Sequence, residues 1–295
     1  MRKRIVFALL VAILALLASA CGSDEESSGT TPAATATADA CAKDQLNLQT
    51  AGQLTIGTDN PAFPPWFQDE NGAPWDPTKT PTKMGYEAAV AYALAHELGF
   101  SDDEVKWTVV PFDSAFKPGP KDFDFDINQV SYTPKRDQAV DFSDSYYDVQ
   151  QAVITLKSSK YANATSVADL QGAKLGAQVG TTSFDVIENT IQPGEDPAVF
   201  NTNNDAISAL KNGQVDGIVT DLPTAFYITA VQVPKGKIVG QVPGESQEHF
   251  GLVFEEGNPL RDCVNEALAT LRDNGTLDQI EQEWLSDKAN APVLQ

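Results

Sequence analysis

Residues 126–143 impose the strictest structural requirement in this chain, because a buried strand there runs directly into polar side chains and a turn. Ile127 and Val130 are apolar, as a strand inside a sheet requires. The polar side chains beside and after them are Asn128, Gln129 and Ser131. Thr133-Pro134 then predicts a turn, since the proline ring fixes φ and restricts the preceding residue. Open α/β sheets bind ligands at the carboxyl ends of their strands, so the pattern favours an α/β fold with a site here.

Arg136 follows this turn and indicates what such a site could bind. An arginine binds a carboxylate through two parallel hydrogen bonds, and a nearby hydroxyl, such as that of Ser131, can supply another donor. A second interpretation fits the chemistry equally well. Arginines are mostly exposed, and Arg136 could pair with Asp137 or Asp141 on the surface. The residues alone leave both interpretations open.

The charge balance restricts the possible partners. The chain has 295 residues, enough for one or two domains with apolar cores, and carries 41 acidic against 20 basic residues. A surface this acidic argues against nucleic acid or an anionic membrane face as a partner. His96 and His249 are the only histidines, so a His-rich metal site or histidine-based catalysis is not expected. We expect neither a metal nor a cofactor.

Residues 1–20 have the pattern of an export signal. A basic start precedes an apolar run over 5–17, which is too short for an ordinary transmembrane helix. The residues that follow resemble a lipoprotein signal, so we expect cleavage before Cys21 and a lipid anchor on that cysteine, outside the cell membrane. Ordinary cleavage after Ala18-Ser19-Ala20 is the alternative. Residues 21–40, rich in Ser, Thr, Ala and Gly, predict a disordered tether.

Cys41 and Cys263 are the two cysteines that remain if Cys21 carries lipid. Export places them in an oxidising compartment, where two cysteines commonly pair. We therefore expect a Cys41–Cys263 disulfide that ties the start of the folded region to a late helix. The alternative is two separate buried thiols.

Two short segments resemble a known family. Thr133-Pro134-Lys135-Arg136 and Val140-Asp141-Phe142-Ser143 are similar to the signature T-P-E-R…V-D-F-S of extracellular solute-binding proteins for polar amino acids, the receptors of ABC importers. The resemblance implies that Arg136 holds the ligand's α-carboxylate with help from Ser131. Further motifs of the family occur in the same order over about residues 45–286.

These further motifs imply the rest of the ligand site. Gly57-Thr58-Asp59 resembles the family's G-T-D segment, which implies that Asp59 faces the ligand's side chain. Phe63, in the aromatic loop that follows, matches one wall of the family's site, and Phe112 matches the second wall. Two facing rings would form a slot for a flat or aliphatic group.

A motif in the second half of the chain implies the opposite side of the site. Gln178-Val179-Gly180-Thr181-Thr182 resembles the family's Q-x-G-T-T, in which a glycine-led helix N-terminus offers free N–H groups to an anion. Thr181 and Thr182 are thus implied to hold the same carboxylate as Arg136. The alternative is a threonine N-cap with no ligand. Asp221 ends the next motif, G-x-V-D-A-V-V-x-D, and is implied to accept the ligand's ammonium group.

The resemblance also implies the fold and the mode of action. The fold would be an α/β periplasmic-binding-protein-like fold of type II, with two α/β lobes joined by two crossover strands. Lobe 1 is predicted over 41–148 and 246–295, and lobe 2 over 149–245. A free amino acid would close the cleft between the lobes, and the monomeric receptor would then dock on the permease subunits of an ABC transporter.

Two other functions and the ligand's side chain stay open. A cyclohexadienyl or arogenate dehydratase on the same fold would need a general acid or base, for which the candidates are Asp59, Glu248 and His249. None of them forms a recognisable catalytic group, so we expect no enzyme; a ligand-sensing receptor is the other alternative. Asp59 and the acidic balance favour a polar or basic amino acid. Asn128 and Gln129, bulkier than the residues often found there, equally suit an amide and are expected to contact the ligand.

Overall fold

The computed structural model describes residues 40–244, 248–285 and 291–295. The predicted export signal at 1–20, the lipidation of Cys21 and nearly all of the predicted tether at 21–40 lie outside the described residues. Among the residues that are described, no helix is both long and apolar enough to cross a membrane.

Strands and helices alternate along the chain, as in an α/β protein. The strands are β1 (Leu54–Thr58), β2 (Val105–Val109), β3 (Phe125–Asp126), β4 (Asp141–Phe142), β5 (Tyr147–Val149), β6 (Gln151–Leu156), β7 (Leu175–Gln178), β8 (Ala198–Phe200), β9 (Gly217–Asp221), β10 (Gly236–Gln241), β11 (Glu248–Phe250) and β12 (Val253–Phe254). The α-helices are α1 (Tyr86–Glu97), α2 (Phe112–Ala115), α3 (Thr182–Val186), α4 (Asn203–Lys211), α5 (Leu222–Tyr227), α6 (Leu260–Asp273) and α7 (Thr276–Leu285). One π-helical turn each extends α3 over Ile187–Ile191 and α5 over Ile228–Gln232. Short 3₁₀ turns lie at Lys43–Gln45, Asp102–Glu104, Arg136–Gln138 and Ala168–Leu170.

Lobe 1 is built on a five-stranded sheet with the strand order β2-β1-β3-β12-β4. β1 runs parallel to β2 and β3, so these three strands end at the same edge, and β12 returns antiparallel between β3 and β4. Helices α1, α6 and α7 contact one another and share an apolar core with β1 and β3. The loops that follow β1 and β3 at this edge carry the predicted site residues Asp59, Phe63, Asn128, Gln129 and Ser131.

Gly85 explains how the loop after β1 reaches the edge of lobe 1. Its φ of 106° lies in the region that favours glycine. A Cβ at this position would collide with the backbone of Trp66 and Phe67. Glycine therefore lets the aromatic loop lie directly against the start of α1, where Trp66 accepts hydrogen bonds from the first turn of the helix.

Lobe 2 is built on a second five-stranded sheet with the order β10-β6-β9-β7-β8. β7 runs parallel to β8 and β9, whereas β6 is antiparallel to β9 and β10. Its strands contribute buried side chains to two separate apolar clusters, as expected of a sheet covered on both faces. Thr181 and Asp221 lie where β7 and β9 end, so both face the same edge.

β5 and β11 connect the two lobes and pair with each other as a two-stranded antiparallel sheet. In sequence, β5 leads from β4 to β6, and β11 leads from β10 to β12. Gln150 separates β5 from β6. The predicted boundary at 148/149 falls inside β5 and that at 245/246 outside the described residues, so both stay predictions.

The carboxyl-terminal residues 291–295 lie on lobe 2, not on lobe 1 as the sequence prediction had it. Gln241 of β10 donates its backbone N–H to Pro292 at 2.7 Å and accepts from Leu294 at 2.9 Å. Leu294 is buried in the apolar core of lobe 2. The physical reason is that the apolar core of lobe 2 accommodates Leu294, while the outer strand β10 offers backbone groups for hydrogen bonds to the tail. The sequence of the tail does not reveal these partners.

A disulfide joins Cys41 to Cys263 in the described structure, with their Cα atoms 5.3 Å apart. Cys263 lies on α6 and is buried in the core of lobe 1, while Cys41 packs against that core. The bond thus fastens the start of the described chain to a helix that comes 222 residues later.

Candidate ligand-binding site

A cavity of about 190 Å³ lies between the two lobes and draws its lining from both. Nine of the ten residues that the sequence predicted as ligand contacts line it: Asp59, Phe63, Phe112, Asn128, Gln129, Ser131, Thr181, Thr182 and Asp221. Arg136 is not among the described residues that line the cavity. The topology thus brings together side chains that are far apart in sequence.

The aromatic loop of lobe 1 reaches lobe 2 across the cleft. Phe63 lines the cavity, and Trp66 beside it is buried among aromatic rings of lobe 1 and the crossover strands. The indole N–H of Trp66 donates to the hydroxyl of Thr224 on α5 at 2.8 Å. This hydrogen bond joins lobe 1 to lobe 2 at one end of the cavity.

Gln129 is fixed in place by a buried carboxyl group. Its φ of 49° is positive, and both its backbone N–H and its side-chain amide donate to Glu87 on α1. Glu87 is fully buried and accepts a further hydrogen bond from the hydroxyl of Tyr146. Burial raises the pKa of Glu87 to about 7, against the lowering effect of these hydrogen bonds. Gln129 therefore belongs to the support of the site as well as to its lining.

The two threonines predicted at the start of α3 do different things. Thr181 is the N-cap: its hydroxyl accepts from the backbone N–H of Phe184 at 3.1 Å and donates to the carbonyl of Gln178 at 2.8 Å. Its side chain thus matches the N-cap alternative. Thr182 points across the cleft, where its hydroxyl lies 3.3 Å from that of Ser131 and donates to Glu248 at 2.6 Å.

Arg136 is buried between the lobes and does not pair with the acids beside it on the surface. Its Nη1 donates to the backbone carbonyl of Ser131 at 2.6 Å, and its Nη2 donates to that of Gly180 in lobe 2 at 2.8 Å. The guanidinium carbon lies 4.3 Å from the ring centre of Phe116 and 5.7 Å from that of Phe112. Burial lowers its pKa to about 10, so the side chain keeps its charge at neutral pH.

The surface alternative for Arg136 does not apply, because Asp141 has other partners. Its carboxylate lies 3.5 Å from the guanidinium of Arg261 and accepts the backbone N–H of Gly257 at 2.7 Å. Arg136 thus supplies a cation inside the molecule, tied to carbonyl groups of both lobes.

Asp221 stands at the lobe 2 end of the cavity in a chain of polar groups. The amide of Gln151, at the start of β6, donates to Asp221 at 2.7 Å, and its oxygen accepts from Ser183 at 2.7 Å. Burial, and then the nearby carboxyl group of Glu248, raise the pKa of Asp221 to about 8. A carboxyl group in this state is stabilised by any cation that enters the cavity.

Glu248, on β11, completes this polar chain. Its carboxylate accepts from Ser131 and Thr182 at 2.6 Å each and from Gln151 at 3.1–3.2 Å. The sequence predicts Glu248 only as a candidate general acid or base and indicates no role for Gln151 or Ser183. A glutamine that opens an apolar strand is the signal that could have drawn attention to Gln151.

The remaining catalytic candidates lie apart from this polar chain. His249 stacks on Tyr132, with ring centres 5.5 Å apart and ring planes 8° from parallel. Asp59 lines the cavity on the lobe 1 side, where burial raises its pKa above the usual range. No group of three or more His, Cys, Asp or Glu side chains that could hold a metal occurs in the described part of the chain.

A family model for bacterial extracellular solute-binding proteins, family 3, matches residues 54–287. The chain belongs to this family. The resemblance found in the sequence is therefore confirmed, and the match covers both lobes and both crossover strands of this family 3 protein.

Proteins and solved structures that are similar to this chain are named for different ligands. The L-cystine-binding protein TcyA of Bacillus subtilis is 26% identical to this family 3 protein, over 95% of both chains. The structure of an ancestral arginine-binding protein bound to arginine is 31% identical with a TM-score of 0.63, covering 79% of this chain and 98% of that one. The structure of the ancestral amino acid-binding protein AncCDT-1, a precursor of cyclohexadienyl dehydratase, is 29% identical with a TM-score of 0.64, covering 79% and 95%. The predicted two-lobed α/β fold of type II is confirmed.

Proposed function

We propose that this chain is the substrate-binding receptor of an ABC importer and captures a polar amino acid in the cleft between its lobes. The observation that carries the proposal is the cavity itself, which is lined by both lobes and has the size of a small solute. Proteins similar to this chain bind arginine or cystine, so the shared ligand class is an amino acid.

Polar groups at the two ends of the cavity support a zwitterionic ligand. Asp221 is a half-buried carboxyl group with capacity for an ammonium partner. The side-chain N–H₂ of Asn128 is buried and has no hydrogen-bond partner among the described residues, which leaves a donor for a ligand oxygen. Asp59, Phe63 and Phe112 would then surround the ligand's side chain.

Contacts across the cleft support capture by closure. Trp66 meets Thr224, Ser131 meets Thr182, and Arg136 meets the carbonyl of Gly180, each joining lobe 1 to lobe 2. A ligand that contacts both lobes favours the closed arrangement by its differential affinity. The closed receptor would then deliver the ligand to the permease subunits.

The proposal includes export and a lipid anchor. Residues 1–20 would be removed, and Cys21 would carry the lipid that holds the protein outside the cell membrane. Labelling with a fatty-acid analogue in a bacterial host that processes lipoproteins should mark the wild type and not Cys21→Ser. Equal labelling of both would reject the anchor and leave the receptor proposal intact.

The central experiment is a ligand screen with residues 22–295, produced without the export signal. The twenty amino acids are added singly to ligand-stripped protein, and the melting temperature is measured. A ligand that binds only the native state raises it. We expect one chemical class of amino acid to do so, and the effect should vanish in Asp221→Ala. A folded protein that responds to no amino acid would reject the proposal.

An enzyme of the dehydratase class is the second candidate, because Asp221 places a carboxyl group in the cavity as a general acid, and burial raises its pKa to about 8. AncCDT-1 is also a precursor of such an enzyme. Incubation of the protein with arogenate or prephenate, followed by chromatography, separates the two functions. The receptor proposal expects no product, whereas product that disappears in Asp221→Asn would establish the enzyme.

A further inference from the structure

The carboxylate of Glu248 accepts hydrogen bonds from Ser131 and Thr182, which the family resemblance implied as donors to the ligand's carboxylate. One oxygen of Glu248 accepts from Ser131 of lobe 1 and from Thr182 of lobe 2, both at 2.6 Å. The two hydroxyls lie 3.3 Å apart, so they converge on a single acceptor. Gln151 adds a third donor and links Glu248 to Asp221. The anion position between the lobes is therefore filled by the chain itself.

The charges around this position favour a cation in the cavity. The described cavity-lining residues include two acidic side chains, Asp59 and Asp221, and no lysine or arginine. Arg136 is the nearby cation, but its Nη1 and Nη2 donate to the carbonyls of Ser131 and Gly180, outside the cavity lining. A ligand carboxylate that approaches Ser131 and Thr182 meets a carboxylate already bound there.

We propose that Glu248 is a specificity-determining residue, whose carboxylate competes with that of the ligand for Ser131 and Thr182, so that the cleft favours a ligand's amine groups over its carboxylate. This inference rests on the proposed receptor function, since it concerns the same cleft. Like charges brought together at an interface oppose binding, and this repulsion changes the ranking of ligands. An ammonium group has the opposite sign and meets no such competition.

Matched pairs of ligands isolate the carboxylate. L-Arginine and agmatine, L-lysine and cadaverine, L-histidine and histamine, and L-glutamine and 4-aminobutanamide differ within each pair only by the α-carboxyl group. Residues 22–295 are titrated with each compound by calorimetry, as the wild type and as Glu248→Gln. Glutamine keeps an acceptor oxygen for the two hydroxyls but removes the charge. Glu256→Gln, an exposed acid just after β12, controls for net charge alone.

The measured quantity is the Kd of the amino acid divided by the Kd of its decarboxylated partner. We expect Glu248→Gln to lower this ratio by at least about tenfold, which corresponds to about 1.4 kcal/mol. The amino acid should gain affinity and the amine should lose it or stay the same. Glu256→Gln should leave the ratio unchanged.

Three results would overturn the inference, and they differ in whether the proposed receptor function is rejected as well. An unchanged ratio, or an amino acid that loses more affinity than its amine, rejects the role of Glu248 but keeps the receptor. Binding by no member of any pair to folded protein, with no amino acid detected in the screen, rejects both.

A second measurement does not depend on the variant folding. In crystals of the wild type with the amino acid, Glu248 should leave Ser131 and Thr182; in crystals with the amine, it should stay. Glu248 bound to both hydroxyls in both complexes would overturn the competition.

Discussion

Two carboxyl groups belong to the two walls of the cleft, Glu87 fully buried and Asp221 half-buried, and they are held in different ways. Glu87 of lobe 1 accepts hydrogen bonds from the backbone and side chain of Gln129 and from Tyr146, all from lobe 1 and its crossover strand. Asp221 of lobe 2 accepts one from Gln151 and faces the cavity. Burial raises the pKa of both, to about 7 and about 8.

This difference distinguishes a carboxyl group that stabilises the fold, Glu87, from one that serves the ligand site, Asp221. The partners of Glu87 are supplied by the chain, and they position the strand end that carries Gln129 and Ser131. Asp221 has fewer partners and lies beside a second acid, Glu248, so its burial costs stability until a cation arrives. Lobe 1 thus shapes the cleft, and lobe 2 supplies a carboxyl group that can pair with a cation of the ligand.

The largest expected effect is that loss of Glu87 lowers the stability of the protein, whereas loss of Asp221 weakens ligand binding. Glu87→Ala leaves the donors of Gln129 and Tyr146 unpaired in the core, so it should lower the free energy of unfolding by about 3–5 kcal/mol. Asp221→Ala should change it by about 1 kcal/mol or less and weaken ligand binding at least about a hundredfold. Urea denaturation and calorimetry measure the two quantities.

The matched control for Glu87 is Glu97→Ala, which removes an exposed carboxylate from the same helix. It should change the unfolding free energy by about 0.5 kcal/mol or less. Equal stability losses in Glu87→Ala and Asp221→Ala would remove the distinction between the two groups.

The pH dependence of stability should identify Glu87. Its pKa rises from 4.5 to about 7 on folding, so the unfolded chain releases the proton first and stability falls as pH rises from about 4.5 to 7. This shift corresponds to a loss on the order of 3 kcal/mol. Glu87→Gln should remove that part of the slope, as measured by urea denaturation at successive pH values.

Asp221 contributes a slope of the same sign in both proteins, and between wild type and Glu87→Gln only the part of its pKa rise that comes from the charge of Glu87 changes. Parallel stability curves for the two proteins between pH 4.5 and 7 would show that Glu87 does not change its charge in this window.

The pH dependence of binding should instead identify Asp221. Below a pKa of about 8 the group holds a proton, which must leave before the carboxylate can pair with an ammonium group. Affinity for a cationic ligand should therefore rise with pH, by up to about a hundredfold from pH 6 to 8. Calorimetry in buffers of different ionisation enthalpy should detect up to one proton released per ligand.

The variant Asp221→Asn has no proton to release and should bind weakly with little pH dependence over this range. Proton release that persists in Asp221→Asn would assign the titrating group elsewhere in the cleft, with Asp59 as the next candidate.

Much of the fold and lining could be predicted because local sequence determines them. The Thr133-Pro134 turn and the apolar strands each specify their own conformation, and strand ends at a shared edge bring Asp59 and Ser131 together. These conformations depend on only a few neighbouring residues, so short sequence motifs predict them.

The partners of polar side chains could not be predicted in this way. The guanidinium of Arg136 donates to the carbonyl of Gly180, which is 44 residues away, and Glu248 meets Ser131 across 117 residues. The tail residue Leu294 likewise finds its core in the other lobe. Such contacts depend on how the lobes meet, and a sequence motif gives only the residue type.

The smallest expected effect concerns the cross-cleft hydrogen bond from the indole N–H of Trp66 to Thr224, which involves no ionisable group. Thr224→Val keeps the shape of the side chain and removes the hydroxyl, which leaves the indole N–H unpaired when the lobes meet. The cost should be about 1 kcal/mol of ligand affinity, or about fivefold in Kd. Thr229→Val is the control, because the hydroxyl of Thr229 bonds to Ala225 within lobe 2 at 2.9 Å and does not reach the cleft. If Thr224→Val binds ligand as tightly as Thr229→Val, then the Trp66 contact does not favour the ligand-bound state, and the charged groups alone set the balance between the two walls.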